Sequence, residues 1–131
     1  MNIVDCESEQ PGGFRQVVHV RGHTFSADIG PPDSVDSAPG AHDYFDASLA
    51  ACKTLTAAWF ARRNGIPLER VEAHVERDDS QERAGVYRLR LRITYYGPLS
   101  DEQRASLARA VARCPVSKLM TTSEVQIEMV E

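Results

Sequence analysis

Residues 43–64 read DYFDASLAACKTLTAAWFARRN, and Gly65 and Pro67 follow. Asp43 supplies an N-cap for a helix, with Asp46 three residues on. Both carboxylates suit the positive end of the helix dipole, and Arg62 and Arg63 suit the negative end. Gly65 is free to take the left-handed conformation that closes a helix, and Pro67 bars continuation. Between these ends Ala47, Leu49, Ala50, Ala51, Cys52, Leu55, Ala57 and Ala58 are small or apolar on nearly every side. This pattern predicts a long helix buried in the core, about 33 Å from end to end.

Working outward toward the N-terminus, residues 30–42 (GPPDSVDSAPGAH) are dense in Gly, Pro, Ser and Asp and read as a long loop. Residues 13–29 (GFRQVVHVRGHTFSADI) hold two runs rich in β-branched residues, broken at Arg21-Gly22, and predict two strands joined by a tight turn. Residues 1–10 (MNIVDCESEQ) are acidic and polar, suggest no element, and lack a signal-peptide pattern. On the C-terminal side, Val71 to Arg77 alternates as a half-buried strand, and residues 78–85 form a polar turn. In residues 87–96 (YRLRLRITYY), Leu89, Leu91 and Ile93 share one face while Arg88, Arg90, Arg92 and Thr94 take the other, solvated one. Gly97-Pro98 ends that strand. Ser100, with Gln103 three residues on, opens a second helix that runs to about Arg113. A short helical turn follows from Cys114-Pro115, and residues 125–130 (VQIEMV) predict a closing strand. The order is strands, long helix, two strands, helix, strand. That is an α+β fold with a mostly antiparallel sheet around a long central helix, in a single domain over residues 1–131.

Composition excludes several function classes. The chain is 42% hydrophobic and 26% charged with net charge −4, the balance of an ordinary soluble domain. No basic run offers a surface to nucleic acid or anionic lipid, and no segment is apolar for long enough to span a bilayer. The expectation is a cytoplasmic protein of bacterial type, without nucleic-acid or membrane partners.

Three cysteines stand at 6, 52 and 114, and any one of them taken alone reads first as a small buried apolar residue. None forms a CxxC, and none has zinc spacing to a histidine, so no bound cofactor or metal is expected. Cys114 precedes Pro115, a favoured first helical residue, and so occupies an N-cap where an anion is stabilised. A thiol there becomes a thiolate more readily. Cys52 lies mid-helix among apolar neighbours, and Lys53 beside it points to another face. On local grounds Cys114 is the more reactive thiol and Cys52 a buried one. Cys6, between Asp5 and Glu7, has no assigned role.

Taken together, Ser48-Leu49-Ala50-Ala51-Cys52-Lys53 in the central helix and Cys114-Pro115-Val116-Ser117, 62 residues between the cysteines, resemble the osmotically inducible protein C and organic hydroperoxide resistance (OsmC/Ohr) family, in its OsmC-like branch. The strand and helix order fits the family over nearly the whole chain. The resemblance implies an intertwined homodimer, with the long helices at its centre and sites at the subunit interface. It implies a cysteine-based peroxidase in which Cys52 attacks an organic hydroperoxide and Cys114 resolves the resulting sulfenic acid into a disulfide. A dithiol such as dihydrolipoamide, free or as a lipoyl protein, would be the external reductant. The family places an arginine beside the first cysteine, held by an acid. Where members commonly carry Pro-Glu ahead of the helix, this chain has Pro39-Gly40-Ala41-His42-Asp43, so Asp43 or His42 takes the acidic position. Arg15, after Gly12-Gly13-Phe14, matches the arginine, with Arg21 as the other candidate. A second reading is a non-catalytic module on the same fold, binding a small ligand in a cavity lined by the cysteines.

Overall fold

The computed structural model describes residues 2–130, and its backbone separates into two compact units at the junction of Phe45 and Asp46. In the first unit, β1 (Val4–Ser8), β2 (Gln16–Val20) and β3 (His23–Ala27) form an antiparallel sheet in that order. Arg21 and Gly22 make the β2–β3 turn with positive φ at both positions, 48° and 81°. That is the mirror-image turn whose twist matches a hairpin. β1 lies in the stretch that suggested no element. All five of its residues are exposed, so it holds no apolar face for a sequence pattern to reveal and is fixed by backbone pairing with β2.

The loop that follows is closed by a buried carboxylate. Asp28 accepts hydrogen bonds from Ile29 N (2.8 Å), Ser37 N (2.9 Å) and Ser37 Oγ (2.6 Å). Bonds from the hydroxyls of Ser34 and Ser37 and from the backbone of Ser37 and Ile29 hold the Asp28 carboxyl far below its usual range.

Helix α1 (Ala41–Arg63) begins two residues before the expected start. Asp43 is therefore not the N-cap. It sits in the first turn, and its carboxylate reaches back 2.8 Å to the Gly40 N–H. That is the acid's half of a capping box. At the other end Gly65 has φ 63°, and Ile66 N bonds to Ala61 O at 2.9 Å, closing the helix as the sequence predicts. The expectation of burial on every side is corrected. Leu49, Lys53, Ala57 and Ala61 form the buried stripe, one residue per turn, while Leu55 is 69% exposed and Trp59 59%. One chain supplies cover for one face of the helix.

The second unit contains that cover. β4 (Arg70–Asp78) and β5 (Arg88–Tyr96) pair antiparallel, joined by a turn holding a 3-10 segment, Glu82–Ala84. Leu89, Leu91, Ile93 and Tyr95 lie on the half-buried face. Arg88 and Arg90 stand on the exposed face opposite the acids Asp78 and Glu76, and Arg92 stands opposite His74. Helix α2 (Asp101–Ala112) carries the full capping box: Ser100 Oγ accepts from Gln103 N at 3.1 Å and Gln103 Oε1 from Ser100 N at 3.0 Å. Ala57 and Ala61 of α1 meet Leu107 and Val111 of α2 in one buried core cluster. Helix α3 (Pro115–Thr121) follows, with Cys114 at its N-cap and Pro115 at N1 as expected.

The closing strand at 125–130 does not form. Those residues carry no strand pairing, and Ile127 is 85% and Met129 92% exposed. The apolar alternation is present in the sequence, but no edge within the described residues pairs with it.

Candidate functional site

The site is built where α1, the end of α2 and the start of α3 meet. Cys52 is half-buried at the middle of α1. The Val116 N–H, at the second position of α3, donates to Cys52 Sγ at 3.5 Å. The amide at this helix start is thus aimed at the sulfur of Cys52. The Cys114 side chain makes no capping bond to its own helix. Thr56 Oγ1, one turn along, lies 4.0 Å from the same sulfur. The N-terminal dipole of α3, which on sequence grounds favoured Cys114, is directed instead at the other cysteine.

Cys114 is fully buried, whereas Cys52 forms part of the wall of an apolar cavity of about 850 Å³. Leu55, Trp59 and Phe60 of α1, Ala110 at the end of α2 and Pro115 of α3 are part of its apolar lining. The volume lies in the range of small-molecule sites. Arg113, the C-cap of α2, is also in the wall and is exposed. It is the one charged residue lining the cavity among the described residues.

Lys53 fixes the segment that carries Cys114. Its ammonium is buried and donates to Val111 O at 2.8 Å, a carbonyl in the last turn of α2. A cation there meets the negative end of the helix dipole. The same carbonyl accepts from Cys114 N at 3.2 Å. One residue of α1 therefore faces the cavity while its neighbour anchors the start of α3. Farther toward the N-terminus of α1, Asp46 accepts from Arg77 Nε (2.6 Å) and Tyr87 OH (2.7 Å). Burial and the bond to Asp46 push Tyr87 up to about 12, so the phenol remains a donor that ties α1 to the hairpin.

The other expected site residues lie in the first unit. Arg15 Nε donates to Glu9 Oε2 at 2.8 Å, its Nη1 to Ser37 O (3.0 Å) and Ser37 Oγ (2.7 Å), and its Nη2 to Ser26 Oγ (2.9 Å). Glu9 is the carboxylate on this guanidinium, and Ser37 links it to Asp28. Asp43 is engaged by Gly40 N, as above, and His42 lies exposed in the same helical turn. Arg21 is exposed in the β2–β3 turn. Cys6, in β1, is exposed opposite Val18.

Sequence reasoning missed Arg113 and Val116. Arg113 directly precedes the Cys-Pro pair, and its place next to a helix junction was the available signal. No sequence signal marks the Val116 amide, because every residue but proline carries one. Among the described residues no three His, Cys, Asp or Glu side chains are grouped to hold a metal ion. No described helix is long and apolar enough to cross a membrane.

A family model described as OsmC-like protein matches residues 33–130. No curated protein matches the sequence closely enough to count as a relative. Among solved structures, an OsmC-like protein from Mycoplasma pneumoniae is 18% identical, with a TM-score of 0.73, over 93% of this chain and 89% of that one. An organic hydroperoxide resistance protein, OsmC, from Legionella pneumophila is 21% identical, with a TM-score of 0.63, over 93% and 90%. The organic hydroperoxide resistance protein OhrB of Bacillus subtilis is 20% identical, with a TM-score of 0.60, over 93% and 91%. At these identities the likeness shows a shared fold.

Proposed function

This chain belongs to the OsmC-like family, and on that premise we propose that it is a thiol peroxidase reducing organic hydroperoxides through Cys52 and Cys114. The observation that carries the reading is the 3.5 Å hydrogen bond from Val116 N–H to Cys52 Sγ. It gives a thiolate at Cys52 a partner and sets the residue two beyond Cys114 against the attacking sulfur. Two of the solved structures with this fold are named for organic hydroperoxide resistance, which agrees with the reading.

The chemistry balances in three steps. The Cys52 thiolate attacks the terminal oxygen of the hydroperoxide, the O–O bond breaks, and an alkoxide leaves to be protonated to the alcohol. Cys52 is then a sulfenic acid. The Cys114 thiol displaces its oxygen as water and forms the Cys52–Cys114 disulfide. An external dithiol, of the dihydrolipoamide kind, exchanges with that disulfide and restores both thiols. Exposure in the cavity wall suits Cys52 to meeting substrate, and complete burial suits Cys114 to meeting only its partner sulfur. The family pattern assigns Arg15 to orienting the peroxide and Asp43 to holding Arg15, whereas in this chain the carboxylate bound to Arg15 is Glu9. The reading takes the reducing cytoplasm as the working compartment.

The active form in this reading is a homodimer. Leu55 and Trp59 on α1, and Ile127 and Met129 near the C-terminus, are the apolar surface a second copy would cover. Sedimentation equilibrium is expected to give about twice the chain mass of 14.5 kDa; a monomer at micromolar concentration contradicts it.

The direct test is steady-state consumption of cumene hydroperoxide with dihydrolipoamide as reductant. Turnover that saturates and requires both reagents is expected. A rate equal to the protein-free mixture ends the peroxidase reading. It would favour the second one, a binding module, for which the breadth of the apolar cavity is the supporting feature.

A further inference from the structure

We infer that Lys53 is a positioning residue for the resolving step: it holds the Cys114 segment in place for an oxidised Cys52 and takes no part in the attack on peroxide. The inference rests on the Cys52–Cys114 reading and deepens it. Lys53 breaks the pattern of its own helix. It stands in the buried stripe of α1 with Leu49, Ala57 and Ala61, where an apolar side chain is the ordinary choice. Taking an ammonium out of water is costly, and a well-packed apolar residue in such a place is often no less stable. A local rule broken in this way marks a place kept for function. The ammonium donates to Val111 O at 2.8 Å, and the same carbonyl accepts from Cys114 N at 3.2 Å. Two residues beyond Cys114, Val116 N donates to Cys52 Sγ at 3.5 Å. Neighbouring residues of α1 thus hold the α2–α3 junction on both sides of Cys114. Oxidation acts differently on the two ties. The Val116 bond has the Cys52 sulfur as its acceptor, and an oxygen added to that sulfur disturbs it. The bond from Lys53 to Val111 involves no sulfur, so it persists through the step in which Cys114 must reach Cys52. Misplacing a reacting group by about 1 Å can slow a step by about a hundredfold.

The experiment follows the two steps separately on the full chain. Reduced protein is mixed with one equivalent of cumene hydroperoxide and quenched at intervals. Loss of the Cys52 thiol reports attack, and appearance of the Cys52–Cys114 disulfide reports resolution. Lys53→Met keeps the apolar stem and removes the donor. It is expected to leave attack within about twofold of wild type and to slow resolution by about tenfold or more, so that sulfenic acid accumulates on Cys52. Lys53→Arg keeps a charged donor and recovers part of the rate. Lys53→Gln, neutral and shorter, carries the same expectation as Lys53→Met and replaces it if that variant does not melt cooperatively. Lys118→Met removes an exposed cation of α3 and changes neither step. A second arm omits peroxide and uses oxidised glutathione. The Cys52 thiolate attacks one glutathione sulfur and expels the other glutathione as thiolate. Cys114 then attacks the Cys52 sulfur of the mixed disulfide and expels the second glutathione. Lys53→Met is expected to slow this second exchange by about tenfold, seen as a mixed disulfide that persists on Cys52. Equal resolution in wild type and Lys53→Met, or attack and resolution slowed in proportion in a variant that melts cooperatively, overturns the inference. A glutathione-driven disulfide that responds to Lys53→Met, in a chain that consumes no hydroperoxide, leaves the inference standing and removes the peroxidase reading. Hydroperoxide consumption through a disulfide indifferent to Lys53→Met does the reverse.

Discussion

Cys52→Ser is expected to lower hydroperoxide turnover by about a thousandfold or more, to the uncatalysed level. A serine hydroxyl in the same wall is not ionised near neutral pH and does not reduce an O–O bond. Loss of function in this variant is a loss of chemistry and not of fold. Cys52 is half-buried beside a cavity, and serine conserves its shape and its capacity to accept from Val116 N. Unchanged thermal unfolding is the control. Cys114→Ser behaves differently: the first oxidation proceeds, and the sulfenic acid on Cys52 then accumulates and is trapped by dimedone as an adduct on that residue. Steady-state turnover falls because no internal disulfide offers the dithiol its usual entry point. If Cys114→Ser gives the adduct on Cys6 instead, or none at all, the order of attack and resolution assigned here is wrong.

The largest effect on stability is expected at Gly97, between β5 and α2. Its φ is 137°, a conformation side chains rarely adopt, and a Cβ there would overlap the Pro67 carbonyl oxygen and stand 3.1 Å from Glu69 N. Both atoms belong to backbone that leads into β4, where Glu69 N bonds to Tyr96 O at 2.8 Å and Leu99 N to Gly97 O at 2.8 Å. Neither can give way without opening the end of the β4–β5 hairpin that packs against Leu107 and Val111. Gly97→Ala therefore adds steric overlap to backbone strain and is expected to cost about 3 kcal/mol, or roughly 10 °C in Tm. Gly65→Ala is the comparison. It also has positive φ, 63°, but a Cβ there meets nothing within 4 Å, so only the left-handed strain of about 1 kcal/mol remains. A thermal melt of the two variants side by side checks the ranking. Equal losses would show that the Pro67 contact relaxes without cost.

What could be read from the sequence was local. The Ser100–Gln103 capping box, the Cys114-Pro115 helix start, the Arg21-Gly22 turn and the Gly65 helix end each depend on a few adjacent residues, and each stands where the pattern predicts. The features that were not legible depend on what lies opposite. β1 is fully exposed, so its strand character comes from pairing with β2 and not from any apolar alternation. Residues 125–130 have the alternation without the partner, and stay unpaired. Helix α1 is apolar on most sides, but one chain covers only the stripe through Leu49, Lys53, Ala57 and Ala61. The sharpest reversal concerns the cysteines. Neighbouring residues gave Cys114 the helix dipole, whereas the fold turns the Val116 amide toward Cys52 and buries Cys114 completely. That one thiol faces the cavity and the other is shielded is a tertiary fact, and no spacing of 52 and 114 encodes it.

The measurement that tests the account most directly is disulfide mapping by mass spectrometry after one equivalent of cumene hydroperoxide, on the reduced wild-type chain, with free thiols blocked. The expected product is a single cross-linked peptide pair joining Cys52 to Cys114, with Cys6 recovered in its blocked form. Recovery of Cys114 as a free thiol beside an oxidised Cys52, or a link through Cys6, would contradict it.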